Sequence, residues 1–575
     1  MFKKRLFEFL PLILIIILAF FVRIIFLDII PNAIGGDELV YVLTAKSIFV
    51  TGRDLSQTWN PWTIFLFNYP PGQNQAELLY FLYVPIVGLL NFSLFSTRIL
   101  NLVLGVGLVL IIYEIAKELF DKKTALIAGL VAAFNPWLIY IGRTAYESIP
   151  AVFFYCLGLY VLLKTKERKI LFSIPVFLLA FYSYIGTKII FIPFVVLSLL
   201  YSYLYVNKRK YRSYYLTVLI FCLILVSFFI FRIAVNHSDS RVSEIFTPNA
   251  AEVAKEVRNQ RQLFINTPLT ALFENKYTEF FRISIVKLFK IFSFDYLFIS
   301  GDNFFSILRN GLFYILDLFF IILGISAMYA KKKRTLLFLS IFILLSTVPH
   351  ILHTASENNF TFHLSLLFPF LILITAYGIN EFLSFFKGKA YRIISVFLAA
   401  FYLFLIFNFL NIYFFQHTLL GYFDFRLRVL SKYILLSDNR RVFIYSNTGG
   451  EYFRKYIFYT NAINLKNRDK IASDMKTGKY SLDNATFISC DSSLDSSLHK
   501  DRVIIFDANC NYIGREKPSL KVARLSDGGA DFVIFNDSLC SKYNLKPYPH
   551  ITTVDSFNVE KMDDKNFCET FITRQ

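Results

Sequence analysis

The chain has 575 residues, 56% of them hydrophobic and 18% aromatic, with a mean hydropathy of +0.52. That composition excludes an ordinary water-soluble protein, since apolar runs of about 18 residues or more are the mark of membrane spans. The net charge of +19 does not require a nucleic-acid partner, because 20 of the 60 Lys and Arg residues stand in short clusters at the ends of apolar runs. Basic residues in such places mark cytoplasmic loops.

At about 20 residues per span, the apolar runs predict about eleven transmembrane helices. They lie near 6–28, 97–118, 124–141, 149–163, 170–186, 188–206, 213–234, 311–329, 335–352, 361–384 and 393–415. The first is introduced by Lys3, Lys4 and Arg5 and lacks a small-residue cleavage site, so it reads as a retained span. With the N-terminus cytoplasmic, the basic clusters at 122–123, 164–169, 208–212, 331–334 and 387–392 each follow an even-numbered helix. A first loop (29–96), a second large loop (235–310) and a tail (416–575) are then outside. The expected fold is an all-α polytopic membrane domain over 1–415 followed by an extracytoplasmic soluble α/β domain over 416–575.

Within the tail, the runs at 441–445 and 502–506 read as buried strands. Cys490, Cys510, Cys540 and Cys568 lie there, and outside the cytoplasm an even set can form disulfides. Cys156 and Cys222 fall in spans and read as packing residues. The chain has no Walker, dinucleotide-glycine or HExxH motif.

The residues that can carry chemistry gather on the outer side. Directly after the first span comes Gly35-Gly36-Asp37-Glu38. Carboxylates at the membrane–water boundary can act as bases or hold cations, or they can simply cap the helix that begins near Leu39. Tyr69-Pro70-Pro71 makes an extended turn, and the short apolar stretch 78–90 suits an interfacial helix better than a span. Arg98 opens the second span, within reach of lipid phosphates or as an ordinary snorkelling side chain. Arg143 and Glu147 can pair with each other or divide between an anion and an acceptor. Tyr182, Tyr184 and Lys188 stand at a tight outer turn, suited to a sugar and a phosphate or to the aromatic belt. His350, His353, Glu357 and His363 could ligate a divalent metal, but no pair has helical His-x-x-x-His spacing, so polar loop residues are the favoured reading and no cofactor is expected.

Taken in order, these features resemble the polyprenyl-phosphate-sugar-dependent glycosyltransferases of the GT-C fold, which include protein O-mannosyltransferases and the aminoarabinose and related lipid-linked sugar transferases of bacteria. The likeness is carried by Gly36-Asp37-Glu38, Tyr69-Pro70-Pro71, Arg98, the run Tyr113 to Leu126, Phe134-Asn-Pro-Trp137, Gly142-Arg143 and Glu147. Tyr182 to Lys188 and Phe294 to Asp302 are similar to later family segments. It is best over 1–200, thinner to about 415, and absent from the tail. Relatives often carry an arginine before the proline-containing tenth helix, where this chain has His363.

The resemblance implies a cell-membrane enzyme that moves a sugar, with inversion, from a polyprenyl-phosphate carrier to a hydroxyl of a protein, lipid or glycan acceptor. Asp37 would be the catalytic position and Glu38 its helper. Arg98, Arg143 and Lys188 would face the donor phosphate, with Tyr69, Glu147, Tyr182 and His363 completing the substrate site. A transporter or flippase, which would place polar residues at mid-membrane, and a ligase or polymerase of lipid-diphosphate glycans are the competing readings.

Overall fold

The computed structural model describes residues 2–69, 76–207, 209–236, 250–265, 267–302, 310–353, 360–417, 425–437, 440–490, 502–510, 518–525, 527–548, 551 and 553–574. The expected Pro70-Pro71 turn and Glu357 lie outside the described residues. Every predicted span is largely helical. α1 (Phe2–Ile24) is followed by two loop helices, α2 (Gly36–Thr51) and α3 (Glu77–Leu89). Then come α4 (Leu94–Leu119), α5 (Lys122–Phe134), α6 (Pro136–Ile141), α7 (Ser148–Lys164), α8 (Ser173–Ser183), α9 (Phe191–Tyr201) and α10 (Arg212–Asn236). The second loop holds α11 (Ala250–Gln262), α12 (Pro268–Phe273) and α13 (Lys276–Ile291). The bundle closes with α14 (Ile315–Lys331), α15 (Lys333–Leu352), α16 (Leu367–Ser384) and α17 (Gly388–Asn411).

Among the described residues, six helical stretches are long and apolar enough to cross a membrane: Leu94–Leu119, Gly186–Val206, Arg212–Val235, Lys333–Leu352, Leu367–Ser384 and Gly388–Gln416. The others are shorter, and local chemistry explains where they break. Asp121 caps α5 by accepting from the backbone N–H of Lys123 and Thr124 at 2.8 and 3.0 Å. Asn135 then accepts from Leu138 N–H at 3.0 Å and Pro136 takes the first helical position, so the helix expected over 124–141 is two. Large apolar side chains on α1, α10 and α17, such as Ile17, Ile224 and Phe404, lie exposed. In water they would form a patch far beyond what a monomer tolerates; in a bilayer they meet lipid. α14 and α16 touch through Gly324 and Gly378, where a Cβ would overlap the carbonyls of Ile374 and Phe320.

The tail forms a seven-stranded sheet flanked by α18 (Phe425–Leu436), α19 (Gly449–Tyr459), α20 (Arg468–Thr477) and α21 (Asp564–Phe571). Its strands are β1 (Val442–Tyr445), β2 (Tyr480–Leu482), β3 (Ala485–Ile488), β4 (Val503–Asp507), β5 (Leu520–Ala523), β6 (Ala530–Phe535) and β7 (Ile572–Arg574). The order is β2-β3-β1-β4-β6-β5-β7, with β1 parallel to both β3 and β4 and the remaining pairs antiparallel. β1 and β4 are the two strands read from sequence, and every residue of β4 is buried, as a continuous apolar run in a central strand requires. Cys490 is bonded to Cys510 and Cys540 to Cys568, while Cys156 and Cys222 are buried and free. One continuous apolar core runs from Ile15 in α1 to Ile572 in β7, so the tail is packed on the bundle.

Gly378→Val is expected to force α14 and α16 apart and lower the thermal midpoint of the detergent-solubilised protein, as a loss of about 1–3 kcal/mol would. An unchanged midpoint would mean the two helices separate freely.

Candidate active site

Between α1 and α2 the chain passes through turns and bends, yet Leu27, Ile29, Ile30, Asn32, Ala33 and Ile34 are all buried. Buried backbone outside a helix must find partners for its carbonyls, above all beside a bilayer. Here cations supply them. Arg98 on α4 donates to the carbonyls of Leu27, Pro31 and Ala33 at 3.2, 2.8 and 2.7 Å. Arg143, in the loop after α6, donates to Val22, Arg23 and Ile30 at 3.2, 2.8 and 3.0 Å, and through Nε to Tyr413 Oη at 3.1 Å. From the tail, Arg428 on α18 donates to Asn32 O and Lys455 on α19 to Ile34 O, each at 2.7 Å.

This segment delivers the chain to the first turn of α2, where the two adjacent acids separate. Successive helical residues point about 100° apart, so one turns inward and the other out. Glu38 is fully buried. Its Oε2 accepts from Gly35 N–H at 2.6 Å, and its Oε1 accepts from the N–H of Ala145. Gly35 has no room for a side chain, because a Cβ there would meet the Tyr146 hydroxyl. Asp37 is exposed. Among the described residues it accepts no hydrogen bond and pairs with no cation, and it stands where the helix dipole favours a carboxylate.

The facing loop, 142–147, is stitched down from several sides. Asn101 Nδ2 donates to Tyr146 O at 2.7 Å and Tyr83 Oη to Ala145 O at 3.2 Å. Glu147 is half-buried at the start of α7. Burial first, and then the Glu147 carboxylate, push the Tyr41 hydroxyl well above the ordinary phenol range, with Tyr80 and Asp37 adding to it. Glu147 and Asp37 therefore act on the same phenol. The rings of Tyr146 and Phe362 are 4.3 Å apart, which brings the turn carrying His363 against this loop.

A second group of predicted residues is buried separately. Lys188 Nζ pairs with Glu77 on α3, both side chains almost inaccessible, and lies 4.6–5.9 Å from the ring centroids of Phe67, Phe181, Tyr182 and Phe229. Tyr69 donates to Glu77 Oε1 at 2.6 Å, and Tyr182 to Phe65 O at 3.0 Å. His363 Nδ1 shares a hydrogen bond with Tyr184 Oη, and its ring lies 4.5 Å from that of His353. Among the described residues no group of three or more His, Cys, Asp or Glu is placed to hold a metal ion.

Arg98, Arg143 and Lys188, expected to face a lipid phosphate, each meet protein groups in this structure. The two arginines donate to backbone carbonyls and, from Arg143 Nε, to the Tyr413 hydroxyl, and the lysine is paired with Glu77 inside an aromatic cage. Likewise Glu38 is a staple between two loops. Sequence reasoning missed Arg428, Lys455 and Glu77. Glu77 carried a signal, an acid opening an apolar helix whose charge needs a partner; the two tail cations carried none, since only folding brings them to residues 32–34.

The elements that hold Asp37 belong to a polytopic helical bundle whose long apolar helices are suited to cross a membrane. Residues 78–231, from α3 to α10, match the family described as dolichyl-phosphate-mannose-protein mannosyltransferase, so the transferase resemblance stands over that segment. The fold is similar to that of ArnT from Cupriavidus metallidurans in the apo state, at 10% identity and TM-score 0.47 over 88% of this chain and 94% of that one. The same protein bound to undecaprenyl phosphate gives 11% identity and TM-score 0.47 over 87% and 93%. The archaeal oligosaccharyltransferase AglB from Archaeoglobus fulgidus, in complex with an inhibitory peptide and a dolichol-phosphate, gives 13% and 0.43 over 88% and 70%. No curated protein matches this chain.

Lys188→Met and Glu77→Gln are each expected to destabilise the protein by about 3–5 kcal/mol, because each strands a buried charge or its partners. The double variant should recover much of that loss in a thermal-unfolding cycle. Additive losses would mean the two side chains do not neutralise each other.

Proposed function

We propose that the protein is a membrane glycosyltransferase that moves a sugar from a polyprenyl-phosphate carrier to an acceptor hydroxyl at the outer membrane surface. The observation that carries this reading is the parting of the two acids at the start of α2: Glu38 is locked into the fold, and Asp37 is left open on a rigid, buried support. A carboxylate so placed suits a general base.

In this mechanism Asp37 takes the proton of the acceptor hydroxyl as its oxygen attacks the anomeric carbon. The bond from that carbon to the phosphate oxygen breaks, its electron pair leaves with the lipid phosphate, and the sugar inverts. Arg98 and Arg143 act from behind the loop. Their charges, compensated mainly by Glu38 and backbone dipoles, leave a positive potential beneath the first turn of α2 that favours the departing phosphate without touching it. Glu147, half-buried in the loop that faces the start of α2, orients the acceptor.

The two disulfides of the tail support an extracytoplasmic location for it, since such bonds persist outside the reducing cytoplasm. They agree with the positive-inside reading that leaves the N-terminus cytoplasmic.

Asp37→Asn is expected to cut sugar transfer from a polyprenyl-phosphate donor by a factor of about 1,000 or more, equivalent to about 4 kcal/mol of barrier, with expression and thermal midpoint unchanged because the side chain is exposed. Transfer at the wild-type rate would remove Asp37 from the chemistry. A topology reporter fused after Asn411 should read as external, and a cytoplasmic readout would reverse the sidedness.

A further inference from the structure

A cavity of about 280 Å³ opens between the first loop and the tail. Its lining includes Leu43 and Thr44 of α2, Trp59 of the first loop, Arg454 of α19, and Met475 and Lys476 of α20. Asp37, Val40 and Thr44 are spaced i, i+3 and i+7, so they share one face of α2. Val40 and Thr44 line the cavity, which therefore runs along the helix face on which Asp37 opens.

The lining has an uneven charge balance. Arg454 is half-buried and Lys476 exposed, and neither pairs with a carboxylate among the described residues. Asp54 is the only acid in the lining, and its carboxylate is already occupied by Ser56 N–H at 3.2 Å, the Ser56 hydroxyl and Trp59 N–H at 3.0 Å. The Thr44 hydroxyl has no hydrogen-bond partner among the described residues. The rest of the lining combines apolar side chains such as Leu43, Leu55 and Met475 with Ser56, Thr58 and Tyr80. A ligand that satisfies all of this has an apolar face, several hydroxyls and a negative substituent. The volume is near the lower end of ligand pockets, about 300 Å³ and upward, which suits roughly one sugar ring.

We propose that this cavity is the acceptor subsite and takes a saccharide unit bearing an anionic group, carboxylate or phosphate. The inference rests on the transferase reading and sharpens it. The C–H face of the ring packs on Leu43 and Met475, the anion meets Arg454 and Lys476, and a free hydroxyl is directed along α2 towards Asp37. The tail then serves in substrate choice, because two of the three free polar groups belong to it.

The test is ligand binding to the full-length protein in detergent, followed by saturation-transfer NMR with glucuronate, glucose 6-phosphate, glucose and inorganic phosphate as probes. Both acidic sugars are expected to bind at least about tenfold more tightly than glucose or inorganic phosphate, and the stronger of the two identifies the substituent. The R454Q/K476Q double variant should lose that preference while keeping its thermal midpoint, since neither side chain supports the fold. Equal binding of glucose and the acidic sugars, phosphate binding as tightly as the sugars, no saturable binding at all, or a preference that survives in the double variant would each overturn the proposal. D37N separates the two readings. If it still transfers sugar while acidic saccharides bind, the catalytic assignment fails and the subsite stands; if it is inactive while the wild type binds no acidic saccharide, the reverse holds.

Discussion

The structure depends on one constraint: a stretch of buried, non-helical backbone at the end of the first span must have its carbonyl groups satisfied. Water cannot serve there, and each unsatisfied polar group would cost about 1–3 kcal/mol. Guanidinium and ammonium groups meet the need because they carry several donors and no acceptor. Arg98, Arg143, Arg428 and Lys455 approach from four different elements and grip the carbonyls of residues 22 to 34. The result is a loop whose carbonyls are held from four directions.

That grip links parts of the chain distant in sequence. Two of the four cations come from the membrane bundle and two from the tail. The position of the first turn of α2 is thus set jointly by both, and the continuous apolar core from α1 to the final strand is the packing counterpart of the same coupling. The proposed base, Asp37, is thus an open carboxylate on a turn held from both sides, and preorganisation of this kind is the larger part of electrostatic catalysis. The tail therefore helps to fix this turn and contributes residues to the lining of the cavity beside it.

Charge within the bundle follows a single rule. Buried cations are tolerated where carbonyls or one carboxylate surround them, as with Arg98, Arg143 and the Lys188–Glu77 pair. These residues stand where a family resemblance points to phosphate contacts. In this fold Arg98 and Arg143 hold the backbone that leads into α2, whereas Lys188 is paired with Glu77 apart from it.

Much of this architecture was legible in the sequence. Apolar runs located the six long apolar helices, the central strands β1 and β4 were read to within a residue, and the bounds of the short apolar helix α3 were expected almost as observed, because burial in lipid or in a sheet core leaves a direct mark on composition. The acids at 37 and 38 were also visible as a pair at the membrane boundary. The division of labour between them was not, since it depends on which side of α2 packs against the loop at Ala145. Nor were the partners of Arg98, Arg143 and Lys188, or the arrival of Arg428 and Lys455 from the tail. A hydrogen bond between residues hundreds of positions apart leaves no periodicity for a sequence to show; periodic burial is a local property, whereas the pairing of a buried charge is decided only when the whole chain has closed around it.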